Sequence, residues 1–336
     1  MNRKIYFMCP DISAPAGGVK MMYQLVDILN KNNIEAYMLH TKRNFRIKYW
    51  EGVNRNYIRN MEDTVTLDEN DILFIPEQEI EFMMKTKDMT CTRVAFVQNW
   101  AYFLPNFLRF NIPLNKSKYQ EFGIKHVLAS SDVIKTFVDY TMNSGKDKLE
   151  IGRVDYFIED IFKPKPLKDK KLQIAYMPRK NKHNLDQIIP TLSMRIPNIK
   201  FVSIDNMNQE QVAKVLNESA IYLSTGYPEG FGIPPVEAMK SGCIVIGYTG
   251  WGGDDYADDV VTALETDNPN MFVYPDGEVY YLSKKLEDIW NDISKIIKDK
   301  LDKTYYEDII NSAIETAKKY NIKNTEKQII EYIKSL

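Results

Sequence analysis

The sequence predicts an α/β protein of two doubly wound parallel-sheet domains followed by a helical C-terminus. Short apolar runs alternate with amphipathic helical stretches along most of the chain, which is typical of parallel sheets covered by helices. The alternation stops at a lysine- and proline-rich segment, residues 163–171, and then begins again. From about residue 279 onward, the apolar residues keep helical spacing.

The first predicted domain covers residues 1–162. It opens with a strand, a glycine-containing loop and a helix, the usual beginning of a parallel α/β layer. A serine pair, Ser130 and Ser131, can cap a helix beginning near Asp132, because a serine hydroxyl accepts free backbone N–H groups. Residues 40–62 fit neither period and are interpreted as a surface excursion. Strands are predicted at 5–9, 34–39, 71–75, 93–97 and 125–129, and helices at 19–30 and 78–85.

The segment 163–171 carries two prolines and five lysines, and we interpret it as a linker, with an exposed loop inside one domain as the alternative. The second domain is predicted over 172–300, and the C-terminal helices, 301–336, are expected to pack on the first domain. Parallel sheets bind ligands at the carboxyl ends of their strands, so the cleft between the domains is the expected active site. The predicted strands are 172–177, 199–204, 221–223 and 244–246, and the helices are 184–195, 209–217 and 235–241.

Composition excludes several classes of function. The 44 basic and 46 acidic residues nearly cancel among 336, so no overall charge drives binding to nucleic acid. Three cysteines, an odd number, argue against a disulfide framework. No signal-like apolar stretch follows the N-terminus, and no apolar run reaches the roughly 18 residues of a spanning helix. We therefore expect a cytoplasmic protein.

The most informative stretch is residues 224–239, which lies between a predicted strand and a predicted helix. Glycines flank Phe231, so the backbone can approach a ligand closely. Two prolines suit the first turn of the helix, whose positive end attracts a diphosphate. Two carboxylates, Glu229 and Glu237, lie eight positions apart, and a carboxylate accepts both hydroxyls of a sugar diol.

This stretch resembles the Glu-x7-Glu signature of retaining GT-B glycosyltransferases, the group 1 or family 4-like enzymes, whose fold has two Rossmann-like domains facing each other across a cleft. The resemblance implies that Glu229 orients the donor sugar, Glu237 holds the ribose, and the backbone of Gly230, Phe231 and Gly232 contacts sugar or phosphate. Two further glycines, Gly17 and Gly18, resemble the N-terminal loop that faces the donor diphosphate.

The same family places an arginine and a lysine after the first strand of the second domain, where they neutralise the leaving diphosphate. Arg179 fits the arginine position. Lys182, directly before the helix, is preferred for the lysine, and Lys180 is the alternative. No Asp-x-Asp motif is present, so the implied transfer is metal-independent, with a UDP-, GDP- or other nucleotide sugar as donor and no separate cofactor.

One position departs from the family. Gln98-Asn99 follows the strand after which many relatives carry a histidine, and an amide cannot shuttle a proton at neutral pH. The function predicted is retaining hexosyl transfer to a carbohydrate or lipid-linked hydroxyl in polysaccharide or glycolipid synthesis. The alternatives are an inactive glycosyltransferase-like subunit and a sugar-nucleotide epimerase of the same fold.

Residues 100–110 are unusually aromatic. This stretch has three possible interpretations: core packing, contact with an acceptor, or peripheral contact with a membrane surface.

Overall fold

The computed structural model describes residues 3–12, 16–43, 45, 47, 58–61, 65–115, 117–143, 148–257 and 269–336. The chain forms two compact units, the first made of Met1–Tyr156 with Lys323–Leu336 and the second of Phe157–Ile322. Most of the predicted surface excursion at 40–62 lies outside the described residues, as do residues 13–15. Within the excursion, Ile58–Asn60 form a strand of the first sheet, so the interpretation was wrong for these residues.

The first unit contains a parallel sheet in which seven described strands follow the order β3-β2-β1-β4-β5-β6-β7. The central strands are buried along their whole length, which explains why they read as continuous apolar runs. The strands are β1 (Ile5–Cys9), β2 (Ala36–His40), β3 (Ile58–Asn60), β4 (Ile72–Pro76), β5 (Thr92–Val97), β6 (His126–Ala129) and β7 (Glu150–Arg153).

Helices follow most strands of this unit. The predicted serine cap is confirmed, since Ser131 Oγ accepts a hydrogen bond from the backbone N–H of Ile134 at 3.1 Å. Asn99 begins another helix by accepting from the N–H of Ala101 at 2.9 Å. The helices are α1 (Gly17–Lys31), α2 (Ile80–Lys85), α3 (Trp100–Arg109), α4 (Lys118–Glu121) and α5 (Asp132–Met142).

The aromatic stretch at 100–110 forms α3 and its C-terminal end, and its side chains divide between two environments. Phe103 and Phe107 are fully buried in the core of the first unit, whereas Tyr102, Leu108 and Phe110 are exposed. Core packing therefore accounts for one face of this helix.

The second unit contains a parallel sheet whose described strands follow the order β12-β11-β10-β8-β9. The apolar stripe predicted near residue 290 is buried in the core of this unit. The strands are β8 (Lys171–Tyr176), β9 (Phe201–Ser203), β10 (Ser219–Ser224), β11 (Ile244–Gly247) and β12 (Phe272–Val273). The helices are α6 (Lys182–Arg195), α7 (Gln209–Glu218), α8 (Ile233–Lys240), α9 (Tyr280–Ile296) and α10 (Thr304–Lys318).

Residues 163–171, predicted as a linker, lie within this second unit. Lys170 is only 4% exposed, and its ammonium group donates to the carbonyl oxygens of Ser219 at 3.0 Å and Ser241 at 2.8 Å. Burial lowers the pKa of this lysine. The lysine-rich composition had indicated an exposed segment. The sequence alone cannot distinguish a buried lysine that donates to backbone carbonyls from an exposed one.

The last helix, α11 (Ile322–Ser335), belongs to the first unit from Lys323 onward, whereas α10 belongs to the second. The side chain of Gln328 exchanges two hydrogen bonds with Asp155, accepting from its N–H and donating to its carboxylate, each at 2.8 Å. The ring of Tyr332 packs on Gly152, where an added Cβ would lie 2.3 Å from the ring.

Candidate active site

The strand order of the second unit determines which loops meet. From β8 the chain proceeds to β9 on one side, and β10 then lies on the other side of β8. The loops that follow β8 and β10 therefore diverge at a topological switch point, where open α/β sheets bind their ligands. The first loop carries the predicted cations, Arg179 and Lys180, and the second carries Glu229.

Lys180 connects these two loops. Its ammonium group lies 2.8 Å from Oε2 of Glu229 and donates to the carbonyl oxygen of Pro228 at 2.5 Å. Both charged side chains are about one-fifth exposed, at 19% and 21%. The ion pair is therefore shielded from bulk solvent yet accessible to a ligand, which strengthens the interaction of either charge with that ligand.

Lys182, the lysine preferred from the sequence, lies elsewhere. It is the first residue of α6, and its ammonium group is 2.9 Å from both carboxylate oxygens of Asp186 on the solvent side of that helix. Asn181 separates the two lysines and adopts a left-handed conformation with φ 50°. Arg179 is exposed on the same loop. Of the two predicted lysines, Lys180 thus contacts Glu229, whereas Lys182 pairs with Asp186.

A third loop, after β11, supports the carboxylate from behind. The backbone N–H of Glu229 donates to the carbonyl oxygen of Gly250 at 2.9 Å, and Glu229 forms a parallel β-bridge with Trp251. A Cβ on Gly252 would lie 2.4 Å from the carbonyl carbon of Gly230 and 2.5 Å from the nitrogen of Phe231. The two loops pack backbone against backbone, and only glycine fits between them.

Phe231 anchors the glycine turn in the protein interior. Its side chain is 2% exposed and packs edge-on against Tyr256 and Tyr320, with ring centroids 5.3 Å and 4.9 Å away. The hydroxyl of Tyr256 donates to the carbonyl oxygen of Gly232 at 2.9 Å. Gly232, at φ 80°, is the N-cap of α8. The buried side chain of Phe231 thus fixes the turn, so a ligand would contact the backbone of this residue rather than its ring.

Helix α8 begins directly after this turn. Prolines occupy its first positions, as predicted, and Glu237 lies on its second turn with 7% exposure. The buried phenol of Tyr222 on β10 lies near both carboxylates, and they affect its pKa. Burial raises the pKa of Tyr222 well above its usual value, and the nearby carboxylates of Glu237 and Glu229 add to the increase. The site therefore places two carboxylates and a helix N-terminus, with its partial positive charge, on one sheet edge.

The glycines predicted in the first unit, Gly17 and Gly18, begin α1. The carbonyl oxygen of Gly18 accepts a hydrogen bond from Nε2 of Gln98 at 3.0 Å. A Cβ on Gly18 would lie 2.8 Å from Oε1 of the same glutamine. Gln98, the residue that departs from the family pattern, therefore contacts the glycine loop directly.

Glu77 supports Gln98 and was not found from the sequence. It follows β4, is 2% exposed, and accepts hydrogen bonds from the backbone N–H groups of Gln98 at 3.2 Å and Asn99 at 3.0 Å. Burial raises its pKa to about 7, although those backbone hydrogen bonds act in the opposite direction. The sequence feature that could have identified Glu77 is its position at the carboxyl end of a predicted buried strand. In the structure this strand end lies next to the switch point between β1 and β4.

Among the described residues, no group of three or more His, Cys, Asp or Glu side chains is placed to hold a metal ion. None of the helices in the described ranges is long and apolar enough to cross a membrane.

Comparison with known proteins agrees with this geometry. Residues 197–315 match the family model of glycosyl transferases group 1. The matched region includes Glu229, Glu237 and the Trp251 loop. An α-1,6-glucosyltransferase of Actinobacillus pleuropneumoniae serotype 7 is 31% identical over 140 residues, which is 41% of this chain and 42% of that protein. The alignment thus spans less than half the length of this curated relative.

Solved structures resemble the whole chain. The pneumococcal O-GlcNAc transferase GtfA, in complex with UDP and GlcNAc, superposes with a TM-score of 0.68 at 9% identity, covering 99% of each chain. The Anabaena protein Alr3699/HepE, in complex with UDP-glucose, superposes with a TM-score of 0.67 at 16% identity, covering 99% of this chain and 100% of the other.

The α/β fold class of the GT-B type, with two parallel-sheet units and a helical C-terminus, is thereby confirmed. The resemblance to glycosyltransferases predicted from residues 224–239 is likewise supported by the family model and the curated relative.

Proposed function

We propose that this protein is a glycosyltransferase that transfers a hexosyl group from a nucleotide-diphosphate sugar to a hydroxyl acceptor. One observation carries the proposal: Glu229, Lys180 and the N-terminus of α8 converge at the switch point of the second sheet, mostly within the region that matches glycosyl transferases group 1. These groups supply a sugar-binding carboxylate, a cation and the partial positive charge of a helix N-terminus, which are the contacts that a nucleotide sugar requires.

The donor is proposed to lie across the carboxyl edge of this sheet. Glu237, buried on α8, accepts both hydroxyls of the ribose. The backbone N–H groups at Gly230, Phe231 and Gly232 and the positive end of the α8 dipole face the diphosphate. Glu229 accepts hydroxyl groups of the transferred sugar. The first-unit glycines, Gly17 and Gly18, are kept as further diphosphate contacts on the family resemblance alone.

Lys180 and Arg179 are proposed to stabilise the leaving group. Breaking the bond between the sugar C1 and the phosphate oxygen leaves negative charge on the nucleoside diphosphate, and a fixed ammonium group stabilises that charge as it develops. Lys180 is preferred here over Lys182, because its ammonium group contacts Glu229, which holds the sugar.

The transfer is proposed to be metal-independent and to retain the anomeric configuration. The acceptor oxygen forms the new bond to C1 on the face from which the diphosphate departs, and the acceptor proton passes to the departing phosphate oxygen. This route needs no histidine, so the amide of Gln98 is compatible with activity. Proton NMR of the first-formed product would reveal its configuration, and an inverted anomer would contradict retention.

The acceptor is proposed to be a carbohydrate or lipid-linked hydroxyl in polysaccharide or glycolipid synthesis, in the cytoplasm or at the inner membrane surface. The similarity to an α-1,6-glucosyltransferase makes glucose the first donor sugar to test. Radiolabelled transfer from UDP-glucose to glucan and glycolipid acceptors is the corresponding assay.

Thermal unfolding without added metal tests donor binding. A nucleotide at a hundred times its dissociation constant stabilises the fold by about 2.7 kcal/mol. We expect one nucleoside-diphosphate series to raise Tm in the wild type and in Glu210→Ala, a control that removes an exposed carboxylate from α7. Glu237→Ala should lose the shift. Stabilisation by no nucleotide, or an unchanged shift in Glu237→Ala, would contradict the proposal.

A further inference from the structure

Trp251 is the exposed residue in an otherwise buried part of the chain. All residues from 241 to 253 are buried except Trp251, which is 49% exposed. An indole of this size would gain free energy from burial against the surrounding core. The fold instead presents it to solvent from a loop that is otherwise packed.

The backbone of Trp251 is held in a conformation that favours glycine. Its φ is 69°, in the left-handed region, and glycines lie on both sides of it, at positions 250 and 252. Glycine at position 251 would adopt the same φ without the steric cost of a side chain. A large aromatic residue at such a position points to a role for the side chain itself.

The loop places this residue next to Glu229. The two residues form a parallel β-bridge, and the N–H of Glu229 donates to the carbonyl oxygen of Gly250, the preceding residue, at 2.9 Å. The ring of Tyr227, two positions before Glu229, meets the indole edge-on with centroids 6.1 Å apart and an interplanar angle of 79°. This aromatic contact orients the indole beside the carboxylate loop.

We propose that Trp251 is the stacking platform for the hexosyl ring of the donor, an inference that rests on the proposed function. A pyranose has an apolar face of C–H groups and a rim of hydroxyls. The indole offers a flat apolar surface with a negative face, which suits those C–H groups. A carboxylate on the neighbouring segment accepts the hydroxyls. Trp251 and Glu229 thus recognise the two chemically different sides of one sugar.

The test compares a nucleoside diphosphate with its sugar conjugate. Dissociation constants are measured by calorimetry for UDP and UDP-glucose, GDP and GDP-mannose, and ADP and ADP-glucose. The proteins are the wild type, Trp251→Phe, Trp251→Ala and Trp251→Gly. The glycine variant removes the ring while leaving a residue that tolerates the left-handed backbone, so it separates loss of stacking from strain in the loop.

We expect affinity for the bare diphosphate to stay within about twofold in every variant. Affinity for the sugar conjugate should fall about tenfold in the alanine and glycine variants and less in the phenylalanine variant, which keeps a flat ring. Wild-type affinity for the conjugate in Trp251→Gly would overturn the proposal. Equal losses for both ligands would also overturn it, because they would show that the residue only shapes the loop.

The outcomes separate this inference from the proposed function. If the wild type binds none of the six ligands, the donor-binding proposal fails and the platform fails with it. If the wild type binds a conjugate and the variants bind it equally well, donor binding stands and only the role of Trp251 is lost.

Discussion

The ammonium group of Lys180 lies 2.8 Å from the carboxylate of Glu229, although the two residues are 49 positions apart and belong to loops after different strands. The contact joins the group proposed to hold the transferred sugar to the group proposed to stabilise the departing diphosphate. A ligand that binds Glu229 through its sugar therefore brings its phosphate near a cation already in place, without a large rearrangement of the site.

The choice between the two lysines gives the first prediction. Lys180→Ala should lower kcat for sugar transfer about a hundredfold, in the range found when a charge-stabilising group is removed from an active site. Lys182→Ala should change kcat by less than about threefold, since exposed ion pairs contribute little. Release of nucleoside diphosphate provides the assay. The reverse order of effects would return the role to Lys182.

Metal removal gives the second prediction. Because Lys180, Arg179 and the N-terminus of α8 are proposed to carry the positive charge, EDTA should leave the rate of transfer within about twofold of the untreated rate. The measurement is the initial rate with chelator, with and without added Mg²⁺ or Mn²⁺. A loss of activity that either cation restores would contradict metal independence.

The packing of the two backbone loops gives the third prediction. Gly252→Ala places a Cβ within 2.5 Å of backbone atoms that cannot rotate away, so we expect a loss of stability of about 2–3 kcal/mol. Gly277→Ala is the matched control. Its added Cβ would meet nothing within 4 Å, and its φ of 87° alone should cost about 1 kcal/mol. Urea unfolding measures both, and equal costs would show that the loop tolerates a side chain.

The buried carboxyl of Glu77 gives the fourth prediction. Its pKa is raised from 4.5 to about 7 by burial, so the folded protein keeps a proton that the unfolded chain has already released. Between pH 4.5 and pH 7 its contribution therefore lowers stability as the pH rises. Glu77→Gln, which cannot titrate, should lack this contribution, so its unfolding free energy should fall less, or rise more, with pH across this range than that of the wild type.

Urea unfolding at a series of pH values provides this measurement, with Glu210→Gln as the control for loss of an exposed carboxyl. The control should keep the slope of the wild type. Burial also raises the pKa of Asp276, to about 6, and this group contributes in the same direction in all three proteins. The difference between variants isolates Glu77, and identical slopes in the wild type and Glu77→Gln would contradict its raised pKa.

Sequence patterns predicted most of the strands and helices because those patterns are local, although the short strands β3, β7 and β12 and the helices α3 and α4 were not predicted. A strand buried on both faces needs a continuous apolar run, as in β1 and β4, and a helix covering a sheet needs an apolar stripe. The glycine turn around Phe231 was recognisable for a similar reason, since close backbone approach excludes most other residues within a few positions. Each of these constraints acts within one segment of chain.

Contacts between distant segments decided the rest. The strand order of the second sheet brings the loop after β8 against the loop of Glu229, and there Lys180 contacts Glu229 whereas Lys182 pairs with Asp186. The ammonium group of the buried Lys170 is satisfied by carbonyl oxygens at the end of α7, at the start of β10 and directly after α8, which composition could not reveal. The assignment of residues 323–336 to the first unit likewise depends on contacts with residues about 170 positions earlier, such as the pairing of Gln328 with Asp155. The sequence by itself determined which chemical groups the protein carries and on which elements. The tertiary structure decided which of them meet, because a side chain's partners are set by how strands and helices pack, and packing is a property of the whole folded unit.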